Sequence, residues 1–216
     1  GKFRKDDVAF KALTRAYMED GIYAPMASAG FALAETRHDD AFTTIVKGMD
    51  RPSQAEVIAR GAAKALAHLR DERGIKVLVD RTAYGQPELR RYGAAVALGQ
   101  LGYYHEERRD DILDHLVALT KDPNYRTKIG ALEGLAELGY KKATAELEKV
   151  RETALLGSLR RDARLAIDQI REKHAEGAKR LEQQAELDKL KDENKELKGH
   201  LAGLESKVDA LAKRKR

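Results

Sequence analysis

The apolar residues of this chain follow two different rhythms. Over roughly the first 170 residues the rhythm is long. Aligned on Leu33, Leu66, Leu98, Leu135 and Ile167, the chain lays five copies of itself over one another, at spacings of 33, 32, 37 and 32 residues. Four positions before each anchor stands Ala29, Ala62, Ala94, Ala131 or Ala163; one before stands Ala32, Ala65, Ala97, Gly134 or Ala166. Three after come Thr36, Leu69, Leu101, Leu138 and Ile170. These offsets share one side of an α-helix. Small residues there admit a second helix closely, and the larger ones fill the space between turns. A second apolar set lies between the anchors: Phe42, Ile45 and Val46; Ile75, Val77 and Leu78; Ile112, Leu113, Leu116 and Leu119; Ala143, Leu147 and Val150. Each copy therefore reads as a helix pair. The punctuation fits: Ser53 to Glu56 has the spacing of a capping box, Asp122-Pro123 reads as an N-cap followed by proline, and Gly102 and Gly139 stand where left-handed helix ends are expected.

A period of 32–37 residues with two helices per unit predicts an all-α, right-handed solenoid, because one pair cannot bury both its faces and must stack on neighbours. Residues 8–17 read as half a repeat without its partner, so the array is expected to hold four to five repeats with the first incomplete. Gly1 stands where an initiator Met would be and reads as a cleavage scar or the edge of a longer chain.

After residue 171 the rhythm shortens to seven. Leu190, Leu197, Leu204 and Leu211 repeat with Leu187, Asn194, Leu201 and Val208 as the d and a positions of a coiled coil. Expected boundaries are a solenoid over 1–170, a joint over 171–186 and a long coiled-coil helix with a basic tail over 187–216. In a parallel dimer the flanking charges pair Glu186 with Lys191, Glu193 with Lys198 and His200 with Glu205. Asn194 at an a position favours an in-register parallel dimer at some cost in stability. The rod thus predicts a parallel homodimer, with a heterotypic coil or a helix folded back on the solenoid as the other arrangements.

The stretch RRYGAAVALGQLG, residues 90–102, resembles the second helix of HEAT repeats, especially the short kind of phycobilisome-lyase-like proteins. The resemblance spans about residues 20–170. It implies that the second helices line a concave side. Residues six and two before each anchor, pointing away from the small-residue face, would then form a partner-binding strip: Phe31, Tyr92, Val96, Ile129 and Leu165, with Ala27, Arg60, Lys64, Glu133 and Arg161 between them. Burial against a second neighbour is the competing use of this strip. A further resemblance is to the C-terminal region of prokaryotic aminopeptidase N-type zinc aminopeptidases, carried by DGIYAPMASAGFALAE, VIARGAAKALAHLRDERGIKVL, YGQPELRRYGAAVALGQLG and ELDKLKDENKELKGHLAGLESKV. That region is non-catalytic, and the family's metal motif is absent from these residues, so no catalytic residue carries over.

Composition narrows the choice. The charge of +5 divides into +3 on residues 171–216, from 13 Lys and Arg against 10 Asp and Glu, and +2 on the rest. The solenoid is nearly neutral, which argues against a broad nucleic-acid footprint. The basic end, Lys213 to Arg216, reads as a solvated tail, with contact to acidic lipid or nucleic acid as the other reading. No cysteine is present, so disulfides and thiolate metal sites are excluded. No apolar run reaches a membrane span and no signal peptide opens the chain, so a cytoplasmic protein is expected. His38-Asp39-Asp40 has metal-ligand chemistry in a turn, but surface turns often carry such residues. His105-Glu106 begins like H-E-x-x-H, but Arg109 stands where the second imidazole is needed. The segment 102–111, GYYHEERRDD, causes the 37-residue spacing, and its Tyr103, Tyr104 and Arg108 make it a second candidate docking site. No phosphate-binding or nucleophile motif appears, so no catalytic, metal or cofactor residue is assigned.

The expected function is a non-catalytic scaffold with a protein partner and a dimerising coil, within a larger protein. The alternatives are an accessory region shaping substrate access in a zinc aminopeptidase, a helical-repeat nucleic-acid binder of the alkylpurine glycosylase kind and, more weakly, a lyase for bilin chromophores.

Overall fold

The computed structural model describes residues 4–214, with the side chains of residues 200, 202 and 204–214 outside the description. Among the described residues ten α-helices follow one another: α1 Asp7–Glu19, α2 Tyr23–Thr36, α3 Ala41–Gly48, α4 Val57–Leu69, α5 Arg73–Arg81, α6 Glu88–Gly102, α7 Arg109–Leu119, α8 Tyr125–Leu138, α9 Ala143–Thr153 and α10 Gly157–Arg214. The chain divides into two units, Gly1–Arg171 and Glu172–Arg216.

The first unit is an all-α solenoid. The second helices form one layer, α2 on α4, α4 on α6 and α6 on α8, while α1, α3, α5 and α7 pack outside them. The cause lies in the aligned alanines. Ala62, Ala94, Ala131 and Ala163 are fully buried and Ala29 nearly so, as are the anchors Leu33, Leu66, Leu98, Leu135 and Ile167. Each buried anchor side chain contributes about 1.5–3 kcal/mol by leaving water. One further row tightens the stack. A Cβ on Gly61, Gly93 or Gly130, each five before its anchor, would fall 2.7 Å from Ala27 Cβ, 2.9 Å from Arg60 Cγ and 2.8 Å from Tyr92 Cα. Those three residues sit six before the preceding anchor. The α6–α8 contact is closer still, since a Cβ on Gly99 would lie 1.9 Å from the Gly134 carbonyl oxygen.

Residues 8–17, expected to lack a partner, belong to α1, which packs on α2 and α3. Asp6 caps it, accepting from the backbone of Val8 at 2.9 Å and Ala9 at 2.8 Å. Tyr17 is fully buried between Gly30 and Gly48 and donates to the Ile45 carbonyl at 3.0 Å. Burial pushes its phenol well above the ordinary range.

Three helix-end expectations need correction. Ser53 caps the start of α4 by accepting from Ile58 N at 3.0 Å, but Glu56 does not reach back to complete a box. Ala55 and Glu56 are left-handed, with φ of 51° and 53°, and the Glu56 carboxylate accepts from Arg90 Nε at 2.8 Å instead. Asp122 is not the cap of α8. Asn124 takes that place, accepting from Thr127 N at 3.1 Å, because Asp122 is held by Arg91. Gly102 ends α6 in helical conformation, where a Cβ would meet Leu138 at 2.7 Å, whereas Gly139 is left-handed with φ 62°. The position four after the anchor is also left-handed at Arg37 and Arg70, with φ of 52° and 57°. Arg37 uses the bend to donate to the His68 carbonyl at 3.0 Å and to that of Leu69, closing the end of α4.

The second unit is the continuation of α10. Its side chains from Ala178 to Lys198 are all exposed.

Candidate interaction surfaces

The outward rows of the second helices carry the first candidate site. Tyr92 and Val96 on α6 come together with Arg60 and Lys64 on α4 and Glu133 on α8 around an open groove of about 480 Å³. Tyr92 is half-buried. Its hydroxyl donates to Glu133 Oε2 at 2.5 Å, and the Arg60 guanidinium stands 5.7 Å from its ring centre. Burial and the Glu133 bond push the Tyr92 phenol up to about 12. The other strip residues lie outside this groove. Phe31 on α2 leans on the His68 ring at 4.5 Å. Ile129 on α8 is half-buried against the core, and Leu165 on α10 is 53% exposed. Arg60, Lys64, Gln100 and Glu133 line the groove but were not singled out from sequence as site residues; the signal for Arg60, Lys64 and Glu133 was their position in the same two outward rows.

The second candidate, the connection after α6, reaches back across the repeat boundary. Arg70 Nη2 donates to the Tyr104 hydroxyl at 3.1 Å and its guanidinium lies 3.8 Å from the Tyr104 ring centre. His105 Nε2 donates to the Arg70 carbonyl at 3.2 Å. Arg108 pairs with Glu72 and Asp111, both at 3.3 Å, and Tyr103 stacks edge-on against Tyr104 at 5.2 Å. The extra length therefore ties two rungs together, leaving Tyr103 and Tyr104 a little under half exposed.

The third candidate is the seven-residue stripe of α10. Leu187, Leu190, Leu197 and Leu201 are 47%, 54%, 61% and 58% exposed, with Asn194 among them. The side chains of the remaining stripe residues, Leu204, Val208 and Leu211, lie outside the description, as do those of His200 and Glu205. Lys191 bonds Asp188 within its own helix at 3.0 Å.

A polar junction stiffens the opposite side of α6. Arg91 is 4% exposed. Its Nε donates to the Thr82 carbonyl at 2.8 Å, and its two terminal nitrogens engage both oxygens of Asp122, one at 3.0 Å. The Thr82 hydroxyl donates to the Val79 carbonyl at 2.7 Å, so it accepts from His115 Nε2 at 2.8 Å. His115 Nε2 thus carries a hydrogen, and burial lowers its pKa.

His38 is engaged structurally. It stacks on Phe10 at 3.9 Å, its Nε2 donates to Asp7 at 3.1 Å, and its Nδ1 accepts from the backbone of Asp40 at 3.1 Å. Among the described residues no three His, Cys, Asp or Glu converge on a common point fit for a metal. Among them, too, no helix is long and apolar enough to cross a membrane.

Residues 10–99 match the family model of HEAT repeats. The chain also superimposes on one from the complex of CpcE and CpcF of phycocyanin lyase from Nostoc sp. PCC7120, with a TM-score of 0.61 and 20% identity. The superposition covers 74% of this chain and 99% of that one. At that identity the likeness is one of fold. No curated protein matches the chain. Over residues 10–99 the chain carries HEAT-like helical repeats, and its first unit is an all-α solenoid.

Proposed function

We propose that this chain is a non-catalytic interaction scaffold that binds a protein partner on the outward face of its second helices and dimerises through α10 as a parallel coiled coil. The observation that carries the reading is the exposure of Leu187, Leu190, Leu197 and Leu201, about half or more of each, at heptad spacing on one helix. A stripe of four such leucines is the pattern that a second helix covers. Asn194 within the stripe, and the charges of Glu186 and Glu193 set against Lys191 and Lys198, favour the parallel, in-register homodimer over the other arrangements. On this reading residues 187–216 are the dimerising segment, extended by Leu204, Val208 and Leu211, and residues 171–186 join it to the solenoid. HEAT-like repeats, and the solved neighbour's place in a two-protein complex, support a protein as the solenoid's ligand. The accessory-region alternative rests on sequence likeness to aminopeptidases alone. Sedimentation equilibrium of the full chain at tens of micromolar is the test. Two protomers per particle are expected, falling to one in the Leu190→Glu/Leu197→Glu variant; a single protomer in the unaltered chain overturns the dimer.

A further inference from the structure

The groove between α4 and α6 has a chemistry of its own. Arg60 and Lys64 stand one turn apart on the exposed face of α4 and line one wall of it. Among the described residues, Arg60 is the one arginine between Arg37 and Arg109 that neither donates a hydrogen bond nor pairs with a carboxylate. Its near neighbour is the Tyr92 ring. The one carboxylate lining the groove, Glu133, is turned to the Tyr92 hydroxyl. The groove therefore holds two cations that no carboxylate of the described residues neutralises, beside a wall made by Tyr92 and Val96.

We infer that this groove receives an acidic amphipathic peptide segment of the partner. Two carboxylates about one helical turn apart would meet Arg60 and Lys64, spaced about 6 Å along α4, and a flanking apolar side chain would seat against Tyr92 and Val96. The inference rests on the scaffold reading and adds the chemistry of the ligand. Charge complementarity chooses the occupant: unpaired cations in a groove favour an anionic partner and penalise a basic one. It also separates a peptide from a nucleic acid. Phosphate binding along a strand needs cations that recur along the face. Here the same two rows hold Ala27 and Phe31 on one side of the pair and Tyr92 and Val96 on the other. Farther along the rows come the Glu133 carboxylate and Arg161, which pairs with Asp162 at 3.1 Å, so the unpaired cations of these rows are confined to one rung.

The experiment selects a displayed library of random 12-residue peptides on the full chain, then measures the recovered peptides by fluorescence anisotropy at two salt concentrations. Enrichment of Asp and Glu pairs three or four apart, next to an apolar residue, is expected. Binding should fall more than about tenfold in Arg60→Glu/Lys64→Glu. That variant keeps the methylenes that Arg60 lays over Gly93, so its thermal midpoint should stay near that of the unaltered chain. A neutral or basic pool, an empty pool, or binding that survives the charge reversal overturns the proposal. So does displacement of the peptide by an oligothymidine that itself needs Arg60 and Lys64. Tyr92→Ser/Val96→Ser separates the two levels. Peptides released by that variant but indifferent to charge reversal refute the acidic ligand and keep the scaffold. Peptides indifferent to both variants refute the groove as the scaffold's binding face as well.

Discussion

Leucine meets two opposite fates in this chain. At the solenoid anchors Leu33, Leu66, Leu98 and Leu135 it is fully buried, while on the last helix Leu187, Leu190, Leu197 and Leu201 keep between 47% and 61% of their surface. The difference lies in the period and not in the residue. Copies about 33 residues apart bring a similar helix of the same chain alongside, so the apolar face is closed from within. A seven-residue stripe on one continuous helix brings no such copy alongside, and its described leucines stay open. The polar groups differ in the same way. In the solenoid they reach across rungs, as Arg37 does to the end of α4 and Arg91 to Asp122. On the last helix they bond three or four residues away along their own surface, as Gln184 and Lys191 do to Asp188. The solenoid should therefore yield to substitutions that disturb contacts between rungs, and the rod to those that disturb its surface.

The largest effect is expected at Asp122. Replacing it with Ala leaves the Arg91 guanidinium buried without its anion, at a cost of about 3–5 kcal/mol, read as a drop in the urea midpoint with the association state unchanged. The pair also predicts a pH dependence. Burial alone would raise the Asp122 carboxyl, but the bonds from Arg91 and from the backbone of Asn124 outweigh it and hold the group below its usual 3.8. A carboxyl lowered by folding contributes stability that is whole above about pH 5 and is lost as the pH falls through 3.8 and on through the folded value. The stability difference between the unaltered chain and Asp122→Asn should accordingly be greatest near neutrality and shrink towards pH 3. A constant difference across that range would mean that the carboxylate charge adds nothing.

Gly99→Ala comes next. The added methyl has nowhere to go against the Gly134 carbonyl, so α6 and α8 must separate, at about 1–3 kcal/mol. Gly177→Ala on the last helix, where a Cβ meets nothing, should instead gain up to about 1 kcal/mol of helix propensity. Urea unfolding of each variant reads both changes, and equal losses at the two glycines would erase the distinction between a packed and a bare helix.

What could be read before the structure follows the same division. The anchors and their alanines were legible because a buried face leaves one residue type at one spacing, five times over. The row of Gly61, Gly93 and Gly130 recurs in only three of the five copies, with Ser28 and Asp162 in the others, and its meaning depends on which residue of the next rung arrives there. Tyr92 and Val96 were legible as outward residues. Their partners Arg60 and Lys64 acquire interest from being unpaired, a property that exists only once the cations around them have found their anions. Tyr104 stays a docking candidate, but its bond to Arg70, 34 residues earlier, leaves no local mark in the sequence. Asp122 looked like a cap for the same reason, being claimed by Arg91 from 31 residues away. Local rules misplace a polar residue whenever a distant rung competes for it.

The smallest effect tests that competition directly. If Ser53 and Glu56 acted together as a capping box, their substitutions would couple to each other. The structure instead gives Ser53 to the Ile58 backbone and Glu56 to Arg90 of the next rung, where the Glu56 and Arg90 side chains are 18% and 13% exposed. Ser53→Ala should therefore cost about 1 kcal/mol as a lost cap and add independently to Glu56→Gln. Glu56→Gln and Arg90→Gln should couple by about 0.5–1 kcal/mol, the range of a partly screened ion pair. A double-mutant cycle on thermal or urea unfolding measures both couplings. Coupling between Ser53 and Glu56 with none between Glu56 and Arg90 would return the turn to its local reading, and with it the view that each rung of this solenoid is capped by its own sequence and not by its neighbour.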